Sequence, residues 1–293
     1  MNDPKTPATE RQNNDLIDAT KFVLSIFVVA IHTRPLSEYT VFLRPILRTA
    51  VPMFFLISSY FFFKQHKALS NTEDRFAHLE KYISRNMHLY FFWMLIFLTP
   101  SISYRQWFSN GLLNGLVLWM QSFLTGSTFI ASWFIMAAVI ATASISLLSR
   151  YLSNGQLLCL SLIPFTVCCL MSNYGNAPFV LAHMNTLTLA FGISFNSFWV
   201  ALFWVVTGKI IAESSFNDRL DKKILPLAVF GAVILYCEQA IVVNFNLAIA
   251  DDCFFSLPLL CIPVFFLLLN CNIHLRHARF FRCVLASKNI SQI

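Results

Sequence analysis

The sequence predicts an all-α fold, a polytopic transmembrane helix bundle with about eight spans. Three observations carry that expectation. The chain is 57% hydrophobic and 12% charged over 293 residues, with a mean hydropathy of +0.64, whereas a soluble domain carries about 25% charged residues. Apolar runs near 16–34, 46–63, 85–100, 132–149, 155–172, 194–213, 224–243 and 253–270 approach the roughly 20 residues that cross a hydrocarbon core of about 30 Å. The basic residues follow these runs in alternation. With the N-terminus in the cytoplasm, 16 of the 21 Lys and Arg residues fall at cytoplasmic ends or loops. Only Arg34, Arg44, Arg48 and Arg105 fall outside, and Lys21 lies within a helix. Such a bias sets orientation in a membrane and accounts for the net charge of +7 without a nucleic-acid partner.

Residues 1–15 form a polar cytoplasmic tail, and 16–293 read as one transmembrane domain. No cleavable signal peptide is expected, because the first apolar run lacks a small-residue cleavage site. That run, DLIDATKFVLSIFVVAIHTRP from Asp15 to Pro35, carries charge. Asp18, Lys21, Ser25 and His32 are spaced by three, four and seven residues, which keeps them near one helix face. Lys21 and His32 stand three turns, or roughly 16.5 Å, apart. A lysine or aspartate near a bilayer centre costs about 2.5–3.5 kcal/mol on insertion scales, so such residues face protein or a wet cavity.

The second span, VPMFFLISSYFFF, sets Ser58 and Ser59 among aromatics, as small residues suited to close helix packing. Residues 64–84 are polar and basic and read as a cytoplasmic loop. Lys81, Arg85 and His88 follow at helical spacing, as snorkelling anchors or as a cytoplasmic anion site. Residues 101–131 are broken by Asn, Gly and Gln and read as an outer interfacial or re-entrant segment. Trp133 opens the next span at a belt position. Residues 173–193 form a second outer segment, in which His183 reads as a satisfied polar residue. Glu238, within an apolar helix, is either functional or buried and hydrogen-bonded. Asp251 and Asp252 read as an exposed outer pair just before the last span, where they complement a helix dipole.

The eight cysteines show no Cys-x-x-Cys pair and read as small hydrophobes of packed helices. His274-x-x-His277 lies in a basic segment with no third ligand in sight, so no metal is expected. No phosphate loop, dinucleotide fingerprint, zinc motif or nucleophile elbow is present. The first-helix stripe is the best titratable constellation. A histidine can take a proton from a hydroxyl nucleophile, and a cation three turns deeper can hold a phosphate-bearing donor entering from the cytoplasm.

At these residues the chain resembles the membrane acyltransferase 3 family. Lys21 and His32 match its Arg/Lys-x10-His motif, and Asp18-x-x-Lys21 resembles its helix start. VPMFFLISSYFFF resembles a family segment in which Gly usually stands at Ser59. Ser132-Trp133-Phe134-Ile135 and the stretch from Glu238 to Asp252-Cys253-Phe254-Phe255-Ser256-Leu257-Pro258 resemble later segments. The resemblance implies a bacterial inner-membrane enzyme moving an acyl group, acetyl above all, from cytoplasmic acyl-CoA to a hydroxyl of a surface or exported carbohydrate. It implies His32 as catalytic base, or as a transient acyl carrier. It implies Lys21, with Lys81, Arg85 and His88, as the acyl-CoA contacts. Asp18, Ser25, Ser58, Ser59, Trp133, Glu238 and Asp252 would be supporting or acceptor-side groups. Acyl-CoA would be a co-substrate, with no permanently bound cofactor.

Two features depart from the family. Arg85-x-x-His88 stands where Arg-x-x-Arg is common. ASKNISQI stops where a late family helix would begin, so the chain reads as C-terminally truncated. Two other functions remain open on the sequence: a transporter or exporter of a lipid-linked carbohydrate, using Lys21 and Glu238 on a substrate path, and an inactive acyltransferase remnant.

Overall fold

The computed structural model describes residues 15–33, 40–109, 111–125, 128, 133–192, 194–214 and 223–271. Regular structure among the described residues is helical. In chain order the helices are α1 (Asp15–Thr33), α2 (Thr40–Leu47), α3 (Ala50–Ala68), α4 (Thr72–Ile96), α5 (Leu98–Arg105), α6 (Leu112–Thr125), α7 (Trp133–Leu148), α8 (Asn154–Asn173), α9 (Pro178–Phe191), α10 (Phe198–Glu213), α11 (Ile224–Asn244) and α12 (Leu257–Asn270). A short 3₁₀ turn, Ser194–Asn196, leads into α10.

Each predicted apolar run falls on a helix, but the runs are not equivalent. Four stretches are long and apolar enough to cross a membrane: Leu16–Thr33, Phe42–Ala68, Asn154–Asn173 and Ile224–Asn244. The others are shorter. The 14 residues of α12 reach about 21 Å, less than a typical hydrocarbon core. Residues 64–84, expected as a loop, are mostly helical. Here α3 continues to Ala68 and α4 begins at Thr72, capped by the Asn71 side chain, which accepts from the Glu73 N–H at 3.2 Å. Glu73 and Asp74 in its first turn add favourable dipole interactions. The expected interfacial segment at 101–131 contains α5, a left-handed turn at Gln106 and α6, held together where Trp107 Nε1 donates to Ser122 Oγ at 3.1 Å. The second outer segment carries α9, whose His183 Nδ1–H donates to the Phe179 carbonyl at 2.9 Å.

The core is built around α10, which packs against α3, α7 and α8. Trp204 is fully buried there, and Phe203 stacks on Phe165 of α8 with ring centroids 4.5 Å apart. The α3–α10 seam closes where Gly208 meets Ser59. A Cβ on Gly208 would overlap Ser59 Oγ and lie 3.0 Å from the Leu56 carbonyl oxygen. Ser59 turns its hydroxyl back onto the Phe55 carbonyl at 2.7 Å, so its polar atom is satisfied within its own helix. Small residues let membrane helices approach where apolar burial gives little drive. The α11–α12 pair uses the same device, with Gly231 against the backbone of Leu259.

Glu238 of α11 resolves into a structural knot. Its carboxylate accepts from Tyr174 Oη at 2.9 Å, the Phe255 N–H at 2.9 Å, the Ser256 N–H at 2.8 Å and Ser256 Oγ. An acid at the start of α12 meets the orphan amides and positive dipole end of that helix. Next to it, Ser172 Oγ donates to the Ala250 carbonyl at 2.5 Å and accepts from the Asp252 N–H at 3.0 Å, while Asn173 Oδ1 accepts from the Cys253 N–H at 3.2 Å. These bonds fix the 250–256 loop and therefore the placement of Asp251 and Asp252.

Two stability effects follow from this packing. Gly208→Leu should destabilise the fold by about 1–3 kcal/mol through overpacking, whereas Ser59→Gly leaves the seam intact; melting temperatures in detergent compare the two. Glu238→Ala strands its buried donors, at about 1–3 kcal/mol for each group left unpaired. The same melting assay should show a larger loss for Glu238→Ala than for Ser59→Gly.

Candidate active site

The site grows from α1, which packs on α3 and touches α2 and α12. Because α1 is unbroken from Asp15 to Thr33, the charged stripe runs straight along it. Val23, Ile26 and Val29 are exposed and form its apolar face, and Lys21 is buried. The two ends of the stripe meet different surroundings.

At the N-terminal end of the stripe, Lys21 Nζ pairs with Asp18 Oδ1 at 3.4 Å and sits 5.7 Å from the centre of the Phe61 ring of α3. Arg85 of α4 is within electrostatic reach of Lys21, and its guanidinium lies 5.9 Å from the Tyr82 ring centre. Tyr82 in turn shares a 3.2 Å hydrogen bond with Ser58. Lys81 is exposed one turn before Arg85. Burial, with the charges of Arg85 and Lys81, holds His78 below the usual imidazole range, so at neutral pH that ring adds no charge. The cluster therefore carries two cations, Lys21 and Arg85, about the carboxylate of Asp18. Arg85 Nε is buried without an acceptor, and such an excess of donors suits an anion.

His88 stands apart from this group. It is exposed, and its Nδ1–H donates to the Ser84 carbonyl at 2.6 Å. Ser25 is likewise engaged in its own helix, donating to the Lys21 carbonyl at 2.9 Å. Another buried cation is structural: Lys209 Nζ bonds Glu213 Oε2 at 2.7 Å and Asn154 Oδ1 at 2.6 Å, tying α10 to α8.

At the C-terminal end, His32 lies in the last turn of α1, exposed and within electrostatic reach of both Arg48 and Asp252. Arg48 sits between α2 and α3, and its Nη1 pairs with Asp252 Oδ1 at 2.5 Å. Arg44, one turn earlier, pairs with Asp251. Two arginines at i and i+4 thus meet two consecutive aspartates, which neutralises both arginines. A base within electrostatic reach of a paired carboxylate and guanidinium can accept a proton with the resulting charge offset by the carboxylate.

The structure thus brings together Lys21, Asp18 and Arg85 at one end, and His32 and Asp252 at the other. Ser58 joins the Lys21 group through Tyr82. Ser59 packs at Gly208, Trp133 packs on Phe55 at 6.3 Å between centroids, and Glu238 anchors α12. Sequence reasoning missed Arg48, Tyr82, Phe61 and His78 as neighbours of the stripe. The Arg44/Arg48 spacing matched to the Asp251-Asp252 doublet was the signal for the outer pairs. Among the described residues no three His, Cys, Asp or Glu side chains converge as for a metal ion; His274 and His277 lie outside the described residues.

A family model described as an acyltransferase domain matches residues 14–293. An amino-acid racemase of Enterococcus faecalis is 28% identical over 142 residues, 46% of this chain and 19% of that protein. No solved structure matches the chain. The family match takes in both ends of the α1 stripe and all twelve helices, and the chain belongs to the acyltransferase 3 family.

Proposed function

We propose that this protein is an integral membrane O-acyltransferase of the bacterial inner membrane, N-terminus in the cytoplasm. It moves an acyl group, acetyl above all, from cytoplasmic acyl-CoA to a hydroxyl of a cell-surface or exported carbohydrate. The observation that carries this reading is the α1 stripe, with an anion-suited cluster at Lys21 and a titratable base at His32 on opposite ends of one straight helix.

In this reading Lys21, Arg85 and Lys81 hold the CoA phosphates, and the flexible arm of the donor carries the thioester along α1 toward His32. His32 takes the proton of the acceptor hydroxyl as its oxygen bonds to the thioester carbonyl carbon. The carbon–sulfur bond then breaks, and the CoA thiolate takes that proton from the imidazolium. Asp252 orients the ring and offsets its charge. Transfer through an acyl-histidine uses the same groups in two steps. A transport reading would put Glu238 on a substrate path; its oxygens are instead taken up by the start of α12, which favours the transferase.

Mass spectrometry of surface glycans tests the reading: deleting the gene should remove one acetyl mass from a sugar, and unchanged glycans would refute it. His32→Ala should lower acetyl transfer roughly 100-fold or more while the protein still inserts in the membrane. Lys21→Gln should raise the KM for acetyl-CoA roughly 10–100-fold, as for a lost charge-assisted contact, with kcat little changed. Lys21→Arg should keep donor affinity, since a guanidinium serves phosphate at least as well.

A further inference from the structure

Arg75, His78, Tyr82 and Arg85 follow one another along α4 at steps of three, four and three residues. These steps keep them near one helix face over roughly 15 Å. Contacts join the column as well as spacing. The Arg85 guanidinium lies 5.9 Å from the Tyr82 ring centre. Tyr82 packs on Phe62 of α3 with centroids 4.9 Å apart. Phe62 in turn stacks on His78 at 4.7 Å and on His66 at 5.3 Å. An aromatic ladder therefore leads from the Arg85 corner to a pair of imidazoles.

The two imidazole centroids are 5.8 Å apart. Phe62 is buried and covers one side of each ring, at interplanar angles of 19° and 23°. Both histidines nevertheless stay partly exposed, on the side turned from Phe62. Gln65 is exposed next to them, with Oε1 3.3 Å from His78 Nε2. Arg75, one turn before His78, is exposed, and its Nε donates to the Leu69 carbonyl at 2.9 Å. Its Nη groups supply four more N–H donors, and among the described residues no carboxylate pairs with them. Half-open aromatic rings, an amide and an arginine are the groups that hold a nucleotide: bases stack on aromatic and imidazole rings, amides bond their edges, and arginine takes phosphate.

We propose that His66, His78 and Gln65 form a subsite for the adenine of the acyl-CoA donor, with Arg75 taking its 3′-phosphate. This rests on the acyl-transfer reading above. The base packs against the open side of the two imidazoles. The Gln65 amide, which both donates and accepts, meets the amino group and a ring nitrogen on the edge of adenine. Arg85 lies two turns from His78, roughly 10.5 Å, a separation that an extended ribose diphosphate covers. The pyrophosphate thus reaches Arg85 and Lys21, and the pantetheine arm continues along α1. The subsite makes the donor a nucleotide thioester: a carrier with no nucleoside is held at Arg85 and Lys21 alone.

Binding to the full chain in detergent tests this with three probes: acetyl-CoA, its 3′-dephospho analogue and acetyl-phosphopantetheine. The unaltered chain should bind acetyl-CoA roughly 10–100-fold more tightly than acetyl-phosphopantetheine. His78→Ala should weaken acetyl-CoA roughly 10-fold, as for a lost stacking surface, and leave acetyl-phosphopantetheine within about threefold. Arg75→Gln should weaken acetyl-CoA roughly 10-fold and leave the 3′-dephospho analogue within about threefold. A packing role alone would move all three probes together, because a displaced α4 carries Arg85 with it. If His78→Ala fails to accumulate, Gln65→Ala at an exposed position decides, with a loss of about fivefold expected for the two nucleotide probes only. Equal affinity of the unaltered chain for acetyl-CoA and acetyl-phosphopantetheine, unchanged acetyl-CoA binding in His78→Ala, or losses common to all three probes would overturn the proposal. Nucleoside-dependent binding by a chain that transfers no acetyl group in vesicles would instead sink the acyl-transfer reading and leave the nucleotide subsite standing. Transfer that is indifferent to the nucleoside would do the reverse.

Discussion

A lysine and an aspartate on a membrane helix must be kept from lipid, and that constraint orders this structure. The cost of a charge in hydrocarbon is met only when the helix turns it toward protein. So α1 presents Asp18, Lys21 and the stripe above them to its neighbours, while Val23, Ile26 and Val29 remain exposed. Phe61 of α3 covers the ammonium of Lys21, and Arg85 of α4 closes the same corner. The orientation of α1 thereby fixes which faces of α3 and α4 come together, and α3 in turn seats α10.

The remaining stability comes from close approach and from polar ties, since lipid offers little hydrophobic drive for one apolar helix to meet another. Gly208 against Ser59 and Gly231 against Leu259 let backbones touch. Glu238, Ser172 and Asn173 knit the C-terminal ends of α8 and α11 and the start of α12 into one unit. The same unit delivers Asp251 and Asp252 to the arginines of α2 and the α2–α3 break. Structural and functional roles meet there. The loop that satisfies the N-terminus of α12 also holds the Asp252 carboxylate on Arg48, within electrostatic reach of His32.

Much of this was legible in the sequence, and the misses have physical causes. The apolar runs located the helices because burial in lipid demands composition, and the stripe of α1 was visible because its spacing is local. The extension of α4 back to Thr72 was hidden, since hydropathy marks where a helix leaves lipid and not where it ends. Asn71 and the acidic first turn were its only local sign. Glu238 was a choice between two readings until its donors from α8 and the start of α12 were known. Arg44 and Arg48 counted as exceptions to the charge bias, because the aspartate that pairs with Arg44 lies 207 residues away. Spacing on α4 suggested His88 as part of the anion site, but its ring serves its own backbone.

The central claim is directional: donor at the Lys21 end, acceptor at the His32 end. Sealed membrane vesicles of opposite orientation test it most directly when labelled acetyl-CoA is supplied to one face only. Label should reach the glycan when the donor meets the cytoplasmic face, and should fail to reach it from the outer face. Equal labelling from the outer face, or labelling from that face alone, would contradict the account.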